Sequence, residues 1–278
     1  MATTQRRTAR RKTATQQRDN PPALEADSVE IELEELSDFN PTTNMMIYGP
    51  SGQGKTVLAG GAPRAVFLST EGGVVSARRA GSTARVIRAP DWEHALSGVR
   101  WADDNLGDKD WLIVDSHTRL QLEYVRWLLR MKNLENSARD LDIPALQDHQ
   151  KWQNAFMRWT DHIISAPYNS IFICAEMRRE NEEGDIEVLP QIRGGKNLEV
   201  CRYICSQMDV ALYYAISDRA TEANEEGLVI RRALAQPYPP YFAKDRYDAL
   251  GKYVDVEEGY HGTMEDIIGM IEDSVQED

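Results

Sequence analysis

The stretch Met45-Met46-Ile47-Tyr48-Gly49-Pro50-Ser51-Gly52-Gln53-Gly54-Lys55-Thr56, running on into Val57-Leu58-Ala59, decides how the rest of the chain is read. Its first four residues are apolar and suit a short buried strand. The eight residues from Gly49 to Thr56 fit G-x-x-x-x-G-K-[ST], and a helix is predicted to open behind them. Each residue type has a physical task in such a loop. Glycines allow backbone angles and close approaches that a Cβ forbids, so the loop of Gly49, Pro50, Ser51, Gly52, Gln53 and Gly54 can wrap a phosphate at a helix N-terminus, every residue but Pro50 offering a backbone N–H. Lys55 is expected to reach the outer phosphates of a nucleoside triphosphate, and the Thr56 hydroxyl to ligate its Mg²⁺.

Working outward, Trp111-Leu112-Ile113-Val114-Asp115 ends a continuous apolar run in an acid. That is the pattern of a central parallel strand whose carboxylate emerges at the ligand-binding edge of an open sheet. Asp115 is therefore the expected second Mg²⁺ ligand, and capping of the following helix is a compatible role. Between these two lies a further apolar strand, Ala65 to Ser69, followed by Thr70-Glu71-Gly72-Gly73. If it lies beside the loop-bearing strand, Glu71 reaches the same edge and can orient an attacking water; the other reading is a surface acid in a glycine turn. The helix predicted over Thr118–Lys132 carries Leu120, Tyr124, Trp127, Leu128 and Met131 at helical spacing, a stripe read as packing. Asp148 to Trp159 begins another helix ahead of the strand Ser170–Ala175. Met264 to Ile271 reads as an amphipathic closing helix, with Glu272, Asp273, Glu277 and Asp278 as an acidic tail.

The chain has 278 residues, 41% hydrophobic and 28% charged, enough for one sizeable α/β domain. No apolar run reaches the roughly 18–20 residues that span a bilayer, and the N-terminus lacks an apolar signal region. A soluble, cytoplasmic protein with no membrane partner is expected. Cys174, Cys201 and Cys205 are too few for a disulfide framework and lack the second pair a zinc site needs, so buried thiols are expected. Charge is unevenly spread. The net −13 combines a remainder of −19 with six basic residues in the first 18 positions: Arg6, Arg7, Arg10, Arg11, Lys12 and Arg18. This arm has no apolar periodicity and is expected to be flexible, either drawn to nucleic acid or folded back on the acidic segment Glu25 to Asp38. Within that segment Val29, Ile31 and Leu33 alternate with glutamates, which predicts a short edge strand.

With GPSGQGKT, then STEGG after a strand, then WLIVDS before a long helix, the chain resembles the RecA-like branch of P-loop ATPases. More narrowly it resembles the phage-type AAA-domain family that includes the Sak-type single-strand annealing proteins. The helix bearing Trp152 and the strand after it are similar to that family as well; where the family carries His or Gln after Ala175, this chain has Glu176. The resemblance covers Asn44 to Asp273. It implies a RecA-like α/β fold over residues 41–278, behind an arm of residues 1–40. The fold would have a mostly parallel central sheet flanked by helices, with late antiparallel hairpins.

The resemblance also implies ATP and Mg²⁺ as cofactors and slow ATP hydrolysis by Lys55, Glu71 and Asp115. It implies a homo-oligomer, ring or filament, in which Lys244 and Arg246 reach a neighbour's terminal phosphate. Two cations spaced i, i+2 on a strand share a side, as that role requires; an exposed, charged edge strand is the other reading. The implied partner is single-stranded DNA, bound for annealing or recombination, with a single-strand DNA-binding protein as a further partner. The available cations are Arg178 and Arg179 at the end of one strand, and Arg193 and Lys196 around Gly194-Gly195, although a plain surface hairpin also accounts for them. Two rival functions stay open: a loader or assembly ATPase acting on a protein, and a nucleoside or small-molecule kinase. The acidic total confines any DNA contact to the arm and a few loop cations.

Overall fold

Runs of apolar residues with no polar alternation form the middle of one sheet, because strands there are covered on both faces. The computed structural model describes Leu33 and residues 42–216, 231–256 and 260–276. The elements discussed belong to the unit Asn40–Asp278. The strands are β1 (Asn44–Gly49), β2 (Ala65–Ser69), β3 (Arg85–Arg88), β4 (Trp111–Asp115), β5 (Asn169–Glu180), β6 (Ile186–Pro190), β7 (Val210–Ile216), β8 (Arg231–Leu234), β9 (Lys244–Asp245) and β10 (Tyr253–Val256). Their order is β10-β8-β7-β1-β5-β4-β2-β3, with β6 paired to β5 and β9 to β7. From β7 across to β3 every pairing is parallel. The pairs β7–β8, β8–β10, β5–β6 and β7–β9 are antiparallel. The α/β architecture expected from the sequence, with late antiparallel hairpins, is the one found.

Alternate residues of the central strands enter two separate cores. Met46, Tyr48, Leu68, Val114 and Phe172 pack under α3 (Trp92–Asn105), α4 (His117–Glu135), α5 (Leu146–Ile164) and α6 (Glu199–Gln207). Met45, Ile47, Phe67, Ile113 and Ile173 face the other side, with α1 (Lys55–Ala59) and α7 (Tyr260–Gln276). A further short helix, α2 (Val74–Arg79), packs on α1. The α4 stripe is packing: Leu120, Tyr124 and Leu128 are buried, and the Trp92 ring lies 4.5 Å from Tyr124 and 5.2 Å from Trp159. In α7, Met264, Ile267, Ile268 and Ile271 are buried. Glu272 and Asp273 belong to this helix rather than to a tail, because the apolar spacing carries it on to Gln276.

Cys174, Cys201 and Cys205 are buried free thiols, and the described residues contain no group of three or more His, Cys, Asp or Glu placed to hold a metal. No helix among the described residues is long and apolar enough to cross a membrane. The basic arm, the edge strand read over Glu25–Asp38 (Leu33 apart) and the terminal Glu277 and Asp278 lie outside the described residues.

Strand order differs from one expectation. β2 does not adjoin β1, since β5 and β4 stand between them. The carboxyl ends of β1, β4 and β2 nevertheless share one edge, past which β5 runs on to Glu180. Gly49 closes β1 there, and a Cβ at this position would lie 2.2 Å from the Tyr214 carbonyl oxygen of β7. Gly49→Ala is therefore expected to push β7 away from β1 and cost about 1–3 kcal/mol. Thermal denaturation should show Tm several degrees lower; an unchanged Tm would contradict the close approach.

Candidate nucleotide-binding site

β1 delivers the chain into a loop that becomes α1 at Lys55. Gly52 (φ +78°) and Gly54 (φ +93°) take left-handed backbone angles, and Gly54 is the N-cap of α1. Gln53 Oε1 accepts the Ile216 N–H at 3.0 Å, tying the loop to the end of β7. Lys55 Nζ donates to the carbonyls of Gly49 at 2.8 Å and Pro50 at 2.7 Å. Burial lowers the Lys55 pKa below its ordinary value, while Asp115 and Glu176 pull it back.

Thr56, the first-turn neighbour of Lys55, donates from Oγ1 to Asp115 Oδ2 at 2.8 Å. Asp115 is buried, and burial raises its pKa to about 6; the Glu71 charge adds to the rise, whereas Thr56 and Lys55 oppose it. Above the pair lies Gly73, where a Cβ would sit 3.8 Å from Thr56 Oγ1 and 3.9 Å from Asp115 Oδ2. Two hard oxygens side by side, a buried carboxylate short of positive charge and a glycine leaving space over both are features that fit Mg²⁺. Asp115 does not cap the following helix. Ser116 does, its Oγ accepting the Arg119 N–H at 3.2 Å.

A cleft of about 670 Å³ opens here, within the range of small-ligand sites. Ser51, Gly52 and Gly54 to Val57 form one wall. Glu71, Gly73, Ser76 and, from α4, Thr118, Arg119 and Leu122 join Asp115 and Ser116 in the other, and Ile173, Cys174 and Ala175 of β5 make the floor. Gln191 and Arg231 complete the lining. Glu71 is exposed at this edge despite the two intervening strands. Gly49, Pro50 and Gln53 do not line the cleft; Gly49 serves the β7 approach and Gln53 the Ile216 amide. Neither nearby soft ligand is an acid–base group at neutral pH. Burial pushes the Cys174 thiol up to about 12 and the His117 imidazole down to about 3.

The remaining expected residues are placed elsewhere. β9 pairs with the start of β7, Ala211 opposite Lys244, so Lys244 and Arg246 lie at the sheet edge opposite the P-loop. Lys244 Nζ donates to the carbonyls of Ser206 at 2.9 Å and Met208 at 2.5 Å, and Arg246 pairs with Asp209 at 2.5 Å. The i, i+2 reading assumed a longer strand: β9 stops at Asp245, before Arg246. Arg178 and Arg179 alternate on β5, the first 2.9 Å from Glu176 and the second 3.5 Å from Glu187. Arg193 and Lys196 are exposed on the turn around Gly194 (φ +123°) and Gly195 (φ +75°). The four cations thus form no single patch.

Sequence reasoning missed Thr118, Arg119, Gln121 and Gln191. Thr118 Oγ1 accepts the Ala175 N–H at 3.1 Å and donates to the Gln191 carbonyl at 3.0 Å. One turn later Gln121 grips Arg193 at both backbone groups, 2.8 Å from its N–H and 2.9 Å from its carbonyl. Gln191 donates its N–H to the Ala175 carbonyl at 2.7 Å, a contact set by the β5–β6 register that faces Glu176 with Pro190. Glu176 itself does not line the cleft; it accepts from Tyr213 Oη at 3.0 Å. The spacing of Thr118 and Gln121 at i, i+3 was a usable signal for one shared helix face.

A parallel sheet with a glycine loop entering a helix at its carboxyl edge, and an acid of a second strand bonded to the helix's first threonine, defines a P-loop nucleoside-triphosphate-binding domain. A family model described as an AAA domain matches residues 42–247, and the chain belongs to that family. No curated relative matches the chain.

The Asp115 pKa of about 6 lies above the ordinary 3.8, so in the metal-free protein its folded form favours the proton. That contribution is present at low pH and lost as pH rises through 6. Asp115→Asn keeps an acceptor for Thr56 but removes the buried charge. It is expected to raise the metal-free Tm at pH 8, by up to about 3 kcal/mol of stability, and to lose that advantage below pH 4. Equal melting of both proteins at pH 8 counts against a buried, uncompensated carboxylate.

Proposed function

We propose that the chain is a Mg²⁺-dependent ATPase of the RecA-like, phage recombination type that binds single-stranded DNA for annealing or strand exchange. The observation that carries the ATPase half is the Thr56–Asp115 contact of 2.8 Å at the mouth of a glycine loop bearing Lys55. Loop N–H groups and Lys55 would hold the phosphates, and Thr56 and Asp115 the Mg²⁺. The metal, when bound, neutralises charge on phosphate oxygens. Glu71, at the same edge and close enough to raise the Asp115 pKa, orients the attacking water.

The DNA half rests on Arg193 and Lys196, which stand exposed on a turn whose backbone is tied to α4 and to Ala175 in the cleft floor. Gly194-Gly195 lets that backbone follow phosphates. With so few cations on an acidic body, binding per chain is weak and salt-sensitive, and many copies assembled on one strand strengthen it.

ATP turnover measured with and without a single-stranded oligonucleotide tests both halves. Lys55→Ala should lower turnover about 100-fold or more, and the oligonucleotide should stimulate the parent. Replacing Arg193 and Lys196 with alanine should weaken oligonucleotide binding and flatten its log–log salt slope by about 1.4, leaving unstimulated turnover intact. A parent that binds no single-stranded DNA, with or without ATP, contradicts the DNA half and favours a protein partner. Stimulation by a nucleoside instead would favour a kinase.

A further inference from the structure

Phosphoryl transfer leaves negative charge on the terminal phosphate, and Lys55 meets it only from the loop side. The part of the lining contributed by α4 carries another cation, and Arg231 of β8 also lines the cleft. Arg119 stands four residues after Asp115 in the first turn of α4, and it is among the residues that line the same cleft. Its backbone N–H is fixed by the Ser116 cap at 3.2 Å, so the position of its Cα is set by the strand end that bears Asp115. The guanidinium is partly exposed and rests 2.8 Å from Glu123 Oε1. That carboxylate also takes Arg126 Nη1 at 2.7 Å, so it keeps a partner if Arg119 leaves. A partly exposed ion pair of this kind is weak and easily exchanged.

We propose that Arg119 supplies the charge for the terminal phosphate of a nucleotide bound in its own chain, turning from Glu123 onto the phosphate oxygens. The planar fork of a guanidinium suits two such oxygens at once. The two cations expected to do this from a neighbour, Lys244 and Arg246, are held on Ser206, Met208 and Asp209 at the far edge of the sheet. The inference rests on the cleft being the ATP site.

The experiment compares the parent, Arg119→Ala and Arg119→Lys for Mg²⁺-ATP and Mg²⁺-ADP affinity, for turnover and for melting. It adds a mixture of Arg119→Ala with Lys55→Ala chains. Arg119→Ala should melt like the parent, lose about 100-fold in kcat and lose affinity for ATP while keeping that for ADP. Arg119→Lys should recover part of both. The mixture should gain nothing, because the intact Arg119 of a Lys55→Ala chain serves only its own cleft. Parental turnover and ATP-over-ADP preference in Arg119→Ala overturn the proposal, as does restored turnover in the mixture. If the parent binds nucleotide without hydrolysing it, the ATP-over-ADP preference decides alone. If it binds neither nucleotide, the cleft reading falls and takes this inference with it.

Discussion

The structure depends on one constraint: β5 lies between the strand that carries the P-loop and the strand that carries Asp115. Two interstrand spacings, about 10 Å, therefore separate β1 from β4. The Thr56–Asp115 hydrogen bond closes that gap beyond the ends of β1 and β4. Register makes the closure possible. Gly49 is level with Ala175, but Asp115 is level with Ile173, so β4 stops two residues lower. The turn after β2, whose last residue Ser69 is level with Asp115, fills the space above β4 and brings Gly73 over the two oxygens. Glu71 enters the cleft by this route although β2 does not touch β1.

The electrostatics follow from the same arrangement. Sheet ends and helices on both faces bury Asp115 and partly bury Lys55. Burial therefore raises Asp115 and lowers Lys55, and the two shifts have opposite sign because each disfavours the charged form. A ligand bringing phosphates to Lys55 and a metal to Asp115 relieves both at once. Burial that disfavours the charged form at both a cation and an anion of one cleft fits a site that takes charged ligands. The same wall leads outward through α4: Thr118 holds the floor and Gln191, and Gln121 holds Arg193, so the exposed glycine turn is anchored to the helix that follows Asp115.

Much of this was readable from residue order. The apolar runs ending at Gly49, Ser69 and Asp115 are strands because nothing polar interrupts them, and the P-loop chemistry is local in sequence. Helix α4 and its packing stripe were equally plain. Strand order was not, because parallel strands joined by helices place no limit on which neighbour each finds. Gln191 was invisible for a related reason: a hairpin, not a motif, returns it to Ala175. The close approach of Gly49 to the Tyr214 carbonyl of β7 was equally out of reach, because that strand lies more than 150 residues away. Lys244 and Arg246 were assigned to one side on the rule of alternation, which needs a strand longer than two residues.

The most direct measurement of the central claim is a crystal structure with Mg²⁺ and a non-hydrolysable ATP analogue. The account predicts the metal about 2.1 Å from Thr56 Oγ1, with Asp115 as a direct or water-linked partner. It also predicts that Lys55 Nζ leaves the Gly49 and Pro50 carbonyls for the phosphates. A nucleotide bound away from the loop, or Lys55 still on those carbonyls beside a bound triphosphate, would contradict it.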